Sequence, residues 1–405
     1  MQQMRSGTLA LLGFLLVATA HGAESESGGQ PSVTAVEYER STIYHSPQKP
    51  GFTCWTGNWL MPDDSLMVAF TQAVGPREER PKAPPEVRAR LNWPPPGREY
   101  YDMTGLDLSN VYLRSVDHGT TWNKVSEDHF VTCMNGAAYH RSQLALPDGT
   151  ILRCSWGRYL VYDDPPVPQT GLIQRSTDGS RIWQPYQTML DPEKYTMIVT
   201  KLDRLSDGRL LAIGGVADVP ATNQLSRYEL SAKQYPGILV STDEGRTWSQ
   251  PITVVPPEHA ENWGGEEFDV AELANGDLLC VYRRIDPESA KRNREVRWQG
   301  LLKKQGDTWI PERVEPAPFP HSGHPELLAT REGSVLHIAT TGIHWTNDAG
   351  QSWHHLDVPA TRYYPDSVQG PDGKIYISAH VGGDDAYGSV DQSITMDTFR
   401  LNVSP

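Results

Sequence analysis

A phenol and a carboxylate occupy equivalent positions in two repeats of this 405-residue chain. Tyr364 and Glu267 each stand nine residues before the glycine of a tight turn, at Gly373 and Gly276. A phenol with a pKa near 10 is almost fully protonated at neutral pH, so it reacts as a nucleophile only beside a base. Arg283, at the end of the strand that follows Gly276, adds a cation to the pair. If the fold brings these side chains together, they can act as one nucleophile and base.

The elements that must position these residues are marked by a recurring turn. The turn combines a serine or threonine, an aspartate, a glycine and a terminal tryptophan, and it occurs as SVDHGTTW at Ser115–Trp122, STDGSRIW at Ser176–Trp183, STDEGRTW at Ser241–Trp248 and TNDAGQSW at Thr346–Trp353. In phase with these boxes, two apolar runs joined by an Asp-Gly-like turn recur six times, which is typical of β-hairpins. With Trp309, which ends the partial turn KKQGDTW, the terminal tryptophans lie roughly 45 to 65 residues apart, a spacing that suits one four-stranded propeller blade per repeat.

These patterns predict an all-β fold, a six-bladed β-propeller of four-stranded blades with box turns. The sixth repeat has material for three strands after residue 363, and VTAVEYERSTIY at 33–44 is predicted to supply the fourth. Pairing the two ends of the chain in one blade would close the ring and leave no open sheet edge. Residues 24–405 are therefore predicted to form a single domain.

The N-terminus, residues 1–23, is predicted to be a signal peptide. Arg5 precedes an apolar stretch that is too short to span a bilayer, and small-residue cleavage sites follow near Ala20 or Ala23. The mature protein is expected to be secreted or periplasmic, and no later segment is apolar enough to predict a membrane span.

Composition narrows the classes of partner. The net charge of −14 and a pI near 5.4 argue against a nucleic-acid partner, which would require clustered lysines and arginines. No CxxC or HExxH spacing indicates a zinc site, and no cofactor is expected. Cys154 and Cys280 lie in strand-like runs and are predicted to be buried thiols, whereas Cys54 and Cys133 could pair.

Loop lengths predict which end of the propeller carries the site. The turns within each hairpin are short at one end, whereas the loops at the other end are long, and long loops on a rigid scaffold are where binding sites are found. The site should therefore lie where the first strands of the blades begin and the second strands end. Polar and charged candidates at those positions are His140, Arg141, Lys201, Glu267, Arg283, Arg284, His324, Tyr364, Asp366 and His380. Their convergence predicts a polar pocket for a glycan or polysaccharide.

The box turns resemble those of the sialidase-like (BNR/Asp-box repeat) family of six-bladed propellers. EFDVAELANGDLLCVYR is similar to a family motif whose first and last positions fall on Glu267 and Arg283, and YPDSVQGPDG is similar to another that begins at Tyr364. The resemblance implies a hydrolase in which Tyr364 is the nucleophile, Glu267 takes its proton, and Arg283 contacts a carboxylate on the substrate. The family's opening arginine has no match, because TCWTGNWLMPDD stands at that point of the sequence, at 53–64. Arg362 is a weak match for a second arginine of the family. Asp102 is a possible match for the family's acid aspartate.

Three hypotheses follow. The first is a secreted exo-glycoside hydrolase, sialidase-like, that acts on an acidic or substituted sugar with the Tyr364 and Glu267 pair. The second is a polysaccharide lyase with His140 or Tyr364 as base and Arg141 or Lys201 neutralising a uronate. The third is a propeller that binds glycans without catalysis.

Overall fold

The structure is a computed structural model. It describes residues 32–46, 51–75, 82, 84–91, 105–130, 138–155, 170–221, 225, 230, 232–260, 263, 267–285, 295–320, 323–381 and 393–404. The predicted signal peptide at 1–23 lies outside the described residues, as do Asp102 and Cys133. No helix in the described part of the chain is long and apolar enough to cross a membrane.

The strands form six antiparallel sheets of four strands each, and the prediction of a six-bladed propeller is confirmed. The first three blades comprise β2 (Gly51–Leu60), β3 (Leu66–Val74), β4 (Asp107–Ser115) and β5 (Asn123–Phe130); β6 (Ala138–Ala145), β7 (Ile151–Ser155), β8 (Leu172–Ser176) and β9 (Gln187–Thr188); and β10 (Thr196–Arg204), β11 (Leu210–Ala217), β12 (Tyr235–Ser241) and β13 (Ile252–Thr253).

The fourth and fifth blades comprise β14 (Phe268–Glu272), β15 (Leu278–Ile285), β16 (Glu295–Gln305) and β17 (Thr308–Pro316); and β18 (Glu326–Ala329), β19 (Val335–Ala339), β20 (Gly342–Thr346) and β21 (His354–Leu356). Two short helices, α1 (Pro85–Leu91) and α2 (Pro257–Ala260), lie outside the sheets.

The sixth blade joins the two ends of the described chain. It comprises β22 (Tyr363–Gln369), β23 (Ile375–His380) and β24 (Ser393–Ser404), followed in space by β1 (Ser32–His45). Strand β1 pairs antiparallel with β24 from Ser32 opposite Ser404 to His45 opposite Ser393. The closing strand predicted at 33–44 is therefore present, and it covers what would otherwise be an open edge.

The box turns are held by local side-chain hydrogen bonds. In the third, the Ser241 hydroxyl donates to Asp243 (2.8 Å) and accepts from the Gly245 amide (2.8 Å), while Asp243 accepts from the Thr247 amide (2.8 Å). Gly245 has φ 77°, a conformation that favours glycine. In the second box Ser180 takes that place at φ 68°. The aspartates thus cap turns at the end of the blades opposite the predicted pocket.

Apolar side chains between neighbouring blades form the core. The tryptophans that end the boxes pack against the preceding blade: Trp122 lies with Tyr376 of the sixth blade, and Trp353 with Leu279 of the fourth. Cys154 and Cys280 are free and buried, as predicted. The repeated turn therefore stabilises both the hairpin and its contact with the preceding blade.

Candidate functional site

The innermost strands of the blades face one another around the axis, and two of them carry strained bulges. Strand β22 has an irregular register between Tyr363 and Asp366, and Tyr364 within it has φ 47°. Strand β2 has a similar bulge, in which Trp55 has φ 54°. Bulky residues rarely adopt positive φ, at a cost of about 1–3 kcal/mol, and bulges re-aim side chains next to active sites. Tyr364 is thus turned toward the pocket at an energetic cost.

The structure brings Tyr364 and Glu267 into direct contact. The phenol hydroxyl donates a hydrogen bond to Glu267 Oε1 across 3.1 Å, and both residues are 7% exposed. Arg283 lies on the other side of the carboxylate, where its Nη1 donates to Oε2. Its backbone amide also donates to the Glu267 carbonyl oxygen across 2.9 Å. The three residues that the sequence pattern selected therefore form one connected group.

Electrostatics keeps Glu267 ionised. Burial alone would raise the pKa of this carboxyl, but the charge of Arg283, the neighbouring His324 and the hydrogen bonds from Arg283 and Tyr364 outweigh it and lower the pKa to about 2. The group is therefore a carboxylate near neutral pH. It is a base placed against a phenol, as nucleophilic use of that phenol requires.

Aromatic rings enclose the phenol. His380 stacks on Tyr364 with ring centroids 5.7 Å apart and an interplanar angle of 23°. His324 lies 6.0 Å from Tyr364 on a tilted plane, and the Tyr363 ring lies 5.0 Å away. Burial lowers the pKa of both histidines, that of His380 to about 3, so both rings are neutral near pH 7.

A second group of five charged side chains lies on the innermost strands of the second to sixth blades, with Glu326 at the first residue of its strand. This group, here called the axial ion cluster, consists of Arg141, Lys201, Asp269, Glu326 and Asp366. All five are buried. Lys201 Nζ lies 2.8 Å from Asp269 Oδ2 and 3.2 Å from Glu326 Oε2, and Arg141 Nη2 donates to the same two carboxylates. Burial by itself would lower the pKa of Lys201, but the two carboxylates raise it. Both cations are thus neutralised within the protein.

Asp366 is the least compensated carboxyl of the axial ion cluster. Its Oδ2 accepts the Asn58 amide across 2.6 Å, but Arg141 Nε is 3.7 Å from its Oδ1. Burial, reinforced by the nearby Glu326 charge, raises the pKa of Asp366 to about 8 against the fields of Arg141 and Lys201. Burial also raises the pKa of Asp269, to about 7 against the fields of Lys201 and Arg141, so Asp366 is the carboxyl of the cluster that most readily holds a proton near neutral pH.

His324 connects the axial ion cluster to the phenol. Arg141 Nη1 lies within hydrogen-bond distance of both ring nitrogens of His324, closer to Nδ1 than to Nε2, which is 3.0 Å away. His324 Nδ1 also lies 2.9 Å from the Pro325 carbonyl oxygen. These contacts hold the ring between Arg141 and Tyr364, whose ring centroid is 6.0 Å away.

Other sequence-predicted residues lie elsewhere. Arg284 follows Arg283 on the same strand but forms cation–π contacts with Trp298 and Trp263, at guanidinium-to-ring distances of 4.4 and 4.9 Å. His140 belongs to β6, but its side chain is outside the described part of the structure. Arg362 is exposed.

Sequence reasoning missed Arg297. It lies directly opposite Arg283 in the pairing of β15 with β16, and it is 3% exposed. Burial, together with the like charge of Arg283, lowers its pKa to about 9 against the attraction of Glu267, so it remains a cation near neutral pH. Its place opposite Arg283 depends on the length of the intervening loop, which the repeat pattern does not specify.

A surface groove of about 840 Å³ lies at the opposite end of the blades, among the box turns of the second and third blades. Its lining includes Arg175, Thr177 and Arg246, but neither Tyr364 nor Glu267. Within the described residues, no group of three or more His, Cys, Asp or Glu side chains has the geometry of a metal site. The polar group around Tyr364 is therefore the candidate active site.

No protein-family profile matches the chain, and no curated protein sequence matches it. Solved structures match its fold. A protein of unknown function from Dyadobacter fermentans is 20% identical with a TM-score of 0.57, and the match covers 91% of this chain and 99% of that one. The GH93 α-L-arabinofuranosidase of Fusarium graminearum, solved with arabinobiose, is 15% identical with a TM-score of 0.56, covering 91% and 97%. The NanB sialidase of Streptococcus pneumoniae is 10% identical with a TM-score of 0.54, covering 88% and 70%. The resemblance to sialidase-like six-bladed propellers is thus confirmed at the level of fold.

Proposed function

We propose that this chain is a glycoside hydrolase that removes a terminal sugar, with Tyr364 as nucleophile and Glu267 as its base. The observation that carries the proposal is the 3.1 Å hydrogen bond between the buried phenol and the carboxylate of Glu267. The strained backbone of Tyr364, at φ 47°, supports it because strain of this kind clusters at active sites. Two of the fold neighbours are named as glycosidases, an arabinofuranosidase and a sialidase.

The reaction takes two displacements at the anomeric carbon. In the first, the Tyr364 oxygen bonds to that carbon, the bond to the leaving oxygen breaks, and the phenol proton passes to Glu267. The leaving oxygen takes a proton from a general acid, for which Asp102 is the candidate that the family resemblance suggests. In the second, the deprotonated general acid takes a proton from water, the water oxygen bonds to the anomeric carbon, the bond to the Tyr364 oxygen breaks, and Glu267 returns its proton to the phenolate. Two inversions give net retention of configuration.

The charges of the site favour an acidic or substituted sugar. Arg283 and Arg297 place two guanidiniums against the single carboxylate of Glu267, which leaves this row of the fourth blade positive. Sialic acid itself has less support, because Trp55 lies in the β2 bulge where the family's opening arginine would be expected. An α-L-arabinofuranoside is the second candidate, favoured by two fold neighbours that are named an α-L-arabinofuranosidase and an α-L-arabinanase and are covered over 97% and 98% of their chains.

The lyase hypothesis has less support than the hydrolase. It assigned Arg141 or Lys201 to a uronate, but both side chains contact Asp269 and Glu326 instead. A purely glycan-binding propeller has no need of an ionised base against a strained phenol. Secretion remains a prediction of the sequence.

The test is a turnover screen with 3′-sialyllactose, linear arabino-oligosaccharides and polygalacturonate. Wild-type protein should release a reducing sugar without the ultraviolet absorbance of a new double bond, and NMR of the first product should show the anomer of the substrate. Tyr364→Phe should stay folded and lose turnover by about 10³-fold or more, since a group that acts within a catalytic unit cannot be replaced by the others.

Tyr376→Phe is the matched control. Tyr376 is also a buried tyrosine of the sixth blade, and its hydroxyl bonds to Asp372 (3.2 Å), so this variant should keep full turnover. Wild-type turnover by Tyr364→Phe would exclude the phenol as nucleophile and return His140 and Arg141 to consideration.

A further inference from the structure

His380 is a costly residue to bury where it lies. Its side chain is almost fully enclosed, with the residue 1% exposed, and no described residue forms a hydrogen bond with its Nε2. Burial lowers the pKa of this ring to about 3 although the Val381 backbone acts in the opposite direction, so the ring is neutral near pH 7. A phenylalanine would fill the same space without an unsatisfied nitrogen, whose desolvation costs about 1–3 kcal/mol. Packing against Tyr364 alone therefore does not account for a histidine.

The position of the ring suggests what the nitrogen is for. His380 is the last residue of β23, pairs with Tyr363 across the sheet, and stacks on the Tyr364 ring at 5.7 Å. It thus ends its strand on the pocket side of the sixth blade, beside the phenol. In a neutral ring with its proton on Nδ1, Nε2 carries a lone pair and can only accept a hydrogen bond. A donor that arrives with the substrate would complete it.

We propose that His380 Nε2 accepts a hydrogen bond from a sugar hydroxyl close to the anomeric carbon, so that His380 determines which sugar is held against Tyr364. This inference rests on the proposed function and deepens it. A site built to bond a hydroxyl rejects an analogue that lacks it, because the buried nitrogen is then left unpaired. The chain should therefore discriminate strongly against the matching deoxy sugar.

His337 offers a matched comparison within the same molecule. It is also fully buried, stacks on Phe319 at 4.1 Å, and has both ring nitrogens without a hydrogen-bond partner in the described structure. Its ring neighbours are Phe319, His344 and Trp353 of the fifth blade and the segment before it, so it does not touch Tyr364. If unpaired nitrogens were only a feature of packing, the two histidines would respond alike to replacement.

The experiment compares His380→Phe, His380→Gln and His337→Phe with wild type, on whichever glycan the screen shows to be cleaved and on its deoxy analogues. Both phenylalanine variants should melt at or above the wild-type temperature, because each removes an unsatisfied buried nitrogen. His380→Phe alone should lower kcat/KM, by about 10- to 100-fold, and should lose the preference for the hydroxylated sugar over one deoxy analogue. His380→Gln, which keeps an acceptor near the Nε2 position, should recover part of that loss.

Unchanged kinetics and unchanged deoxy-sugar discrimination in His380→Phe would overturn the inference while leaving the proposed function intact. A fall in melting temperature with unchanged kinetics would show a structural role and would also overturn it. If wild type cleaves no glycan, the proposed function fails, and calorimetric binding of arabinobiose and 3′-sialyllactose decides the inference instead. Weaker binding by His380→Phe than by His337→Phe supports it, whereas equal binding or no binding by wild type refutes it.

Discussion

The axial ion cluster makes a quantitative prediction about two of its carboxyls. Glu326 accepts from Lys201 Nζ at 3.2 Å and from the amide and hydroxyl of Ser367 at 3.0 and 2.5 Å, and it also contacts Arg141. Glu326→Gln keeps the shape but leaves a buried positive charge uncompensated, which should cost about 3–5 kcal/mol. Asp366→Asn, by contrast, replaces an acid that already holds its proton with a neutral isostere that can still accept the Asn58 amide.

The two variants should therefore differ in thermal unfolding. With an unfolding entropy of about 2.1 cal/mol/K per residue over the roughly 290 residues that the structure describes, a loss of 3–5 kcal/mol lowers Tm by about 5–8 °C. Asp366→Asn should lie within about 1 °C of wild type near pH 5. In the double variant the asparagine should cost far more. Removing Glu326 lowers the pKa of Asp366, so an ionised Asp366 offsets a part of the lost negative charge, and the second change removes that partial offset.

The pH dependence has a definite sign. Folded Asp366 has a pKa of about 8, so between pH 4 and 8 it binds a proton that the unfolded chain has released. Its contribution to the free energy of unfolding must then fall as pH rises through this window and level off above it. Circular-dichroism melts from pH 5 to 9 should show wild type losing stability relative to Asp366→Asn. Parallel profiles, or an Asp366→Asn variant as unstable as Glu326→Gln, would refute this assignment of the proton.

Three further predictions concern the site and the scaffold. Arg283→Met should raise the pKa of Glu267 toward its ordinary value, and this should move the acid limb of the pH profile of kcat/KM to higher pH. Arg284→Met should leave that limb in place, because Arg284 contacts tryptophan rings. Identical pH profiles for the two variants would contradict the site geometry. Asp243→Ala should lower the stability of the third box turn by about 1 kcal/mol, a modest amount because the group is largely solvated, and kinetics of the folded protein should not change. Deleting residues 1–44 removes β1 and uncovers β24, so the ring should unfold cooperatively at a lower temperature, and an unaltered melt would show that closure is dispensable.

The sequence by itself determined the number of blades, the closing strand and the central pair of the site. Turn chemistry is local, so the four boxes and the Asp-Gly-like hairpins revealed the repeat without knowledge of any distant contact. A regular repeat also places residues at equal offsets from their turns at the same end of the propeller. That is why the shared offset of Tyr364 and Glu267 sufficed to predict their 3.1 Å contact.

Only the tertiary structure decided which charges lie beside the Tyr364 and Glu267 pair and which belong to the axial ion cluster. Arg141 and Lys201 are candidate substrate ligands by position, but their partners Asp269 and Glu326 come from other blades, in one pair 185 residues away along the chain. The place of Arg297 opposite Arg283 depends on loop length, and the strain at Tyr364 depends on a bulge. Coulomb energy depends on separation and burial in three dimensions, and a linear pattern records neither. The cations beside Glu267 could therefore be distinguished from those of the axial ion cluster only from the tertiary structure.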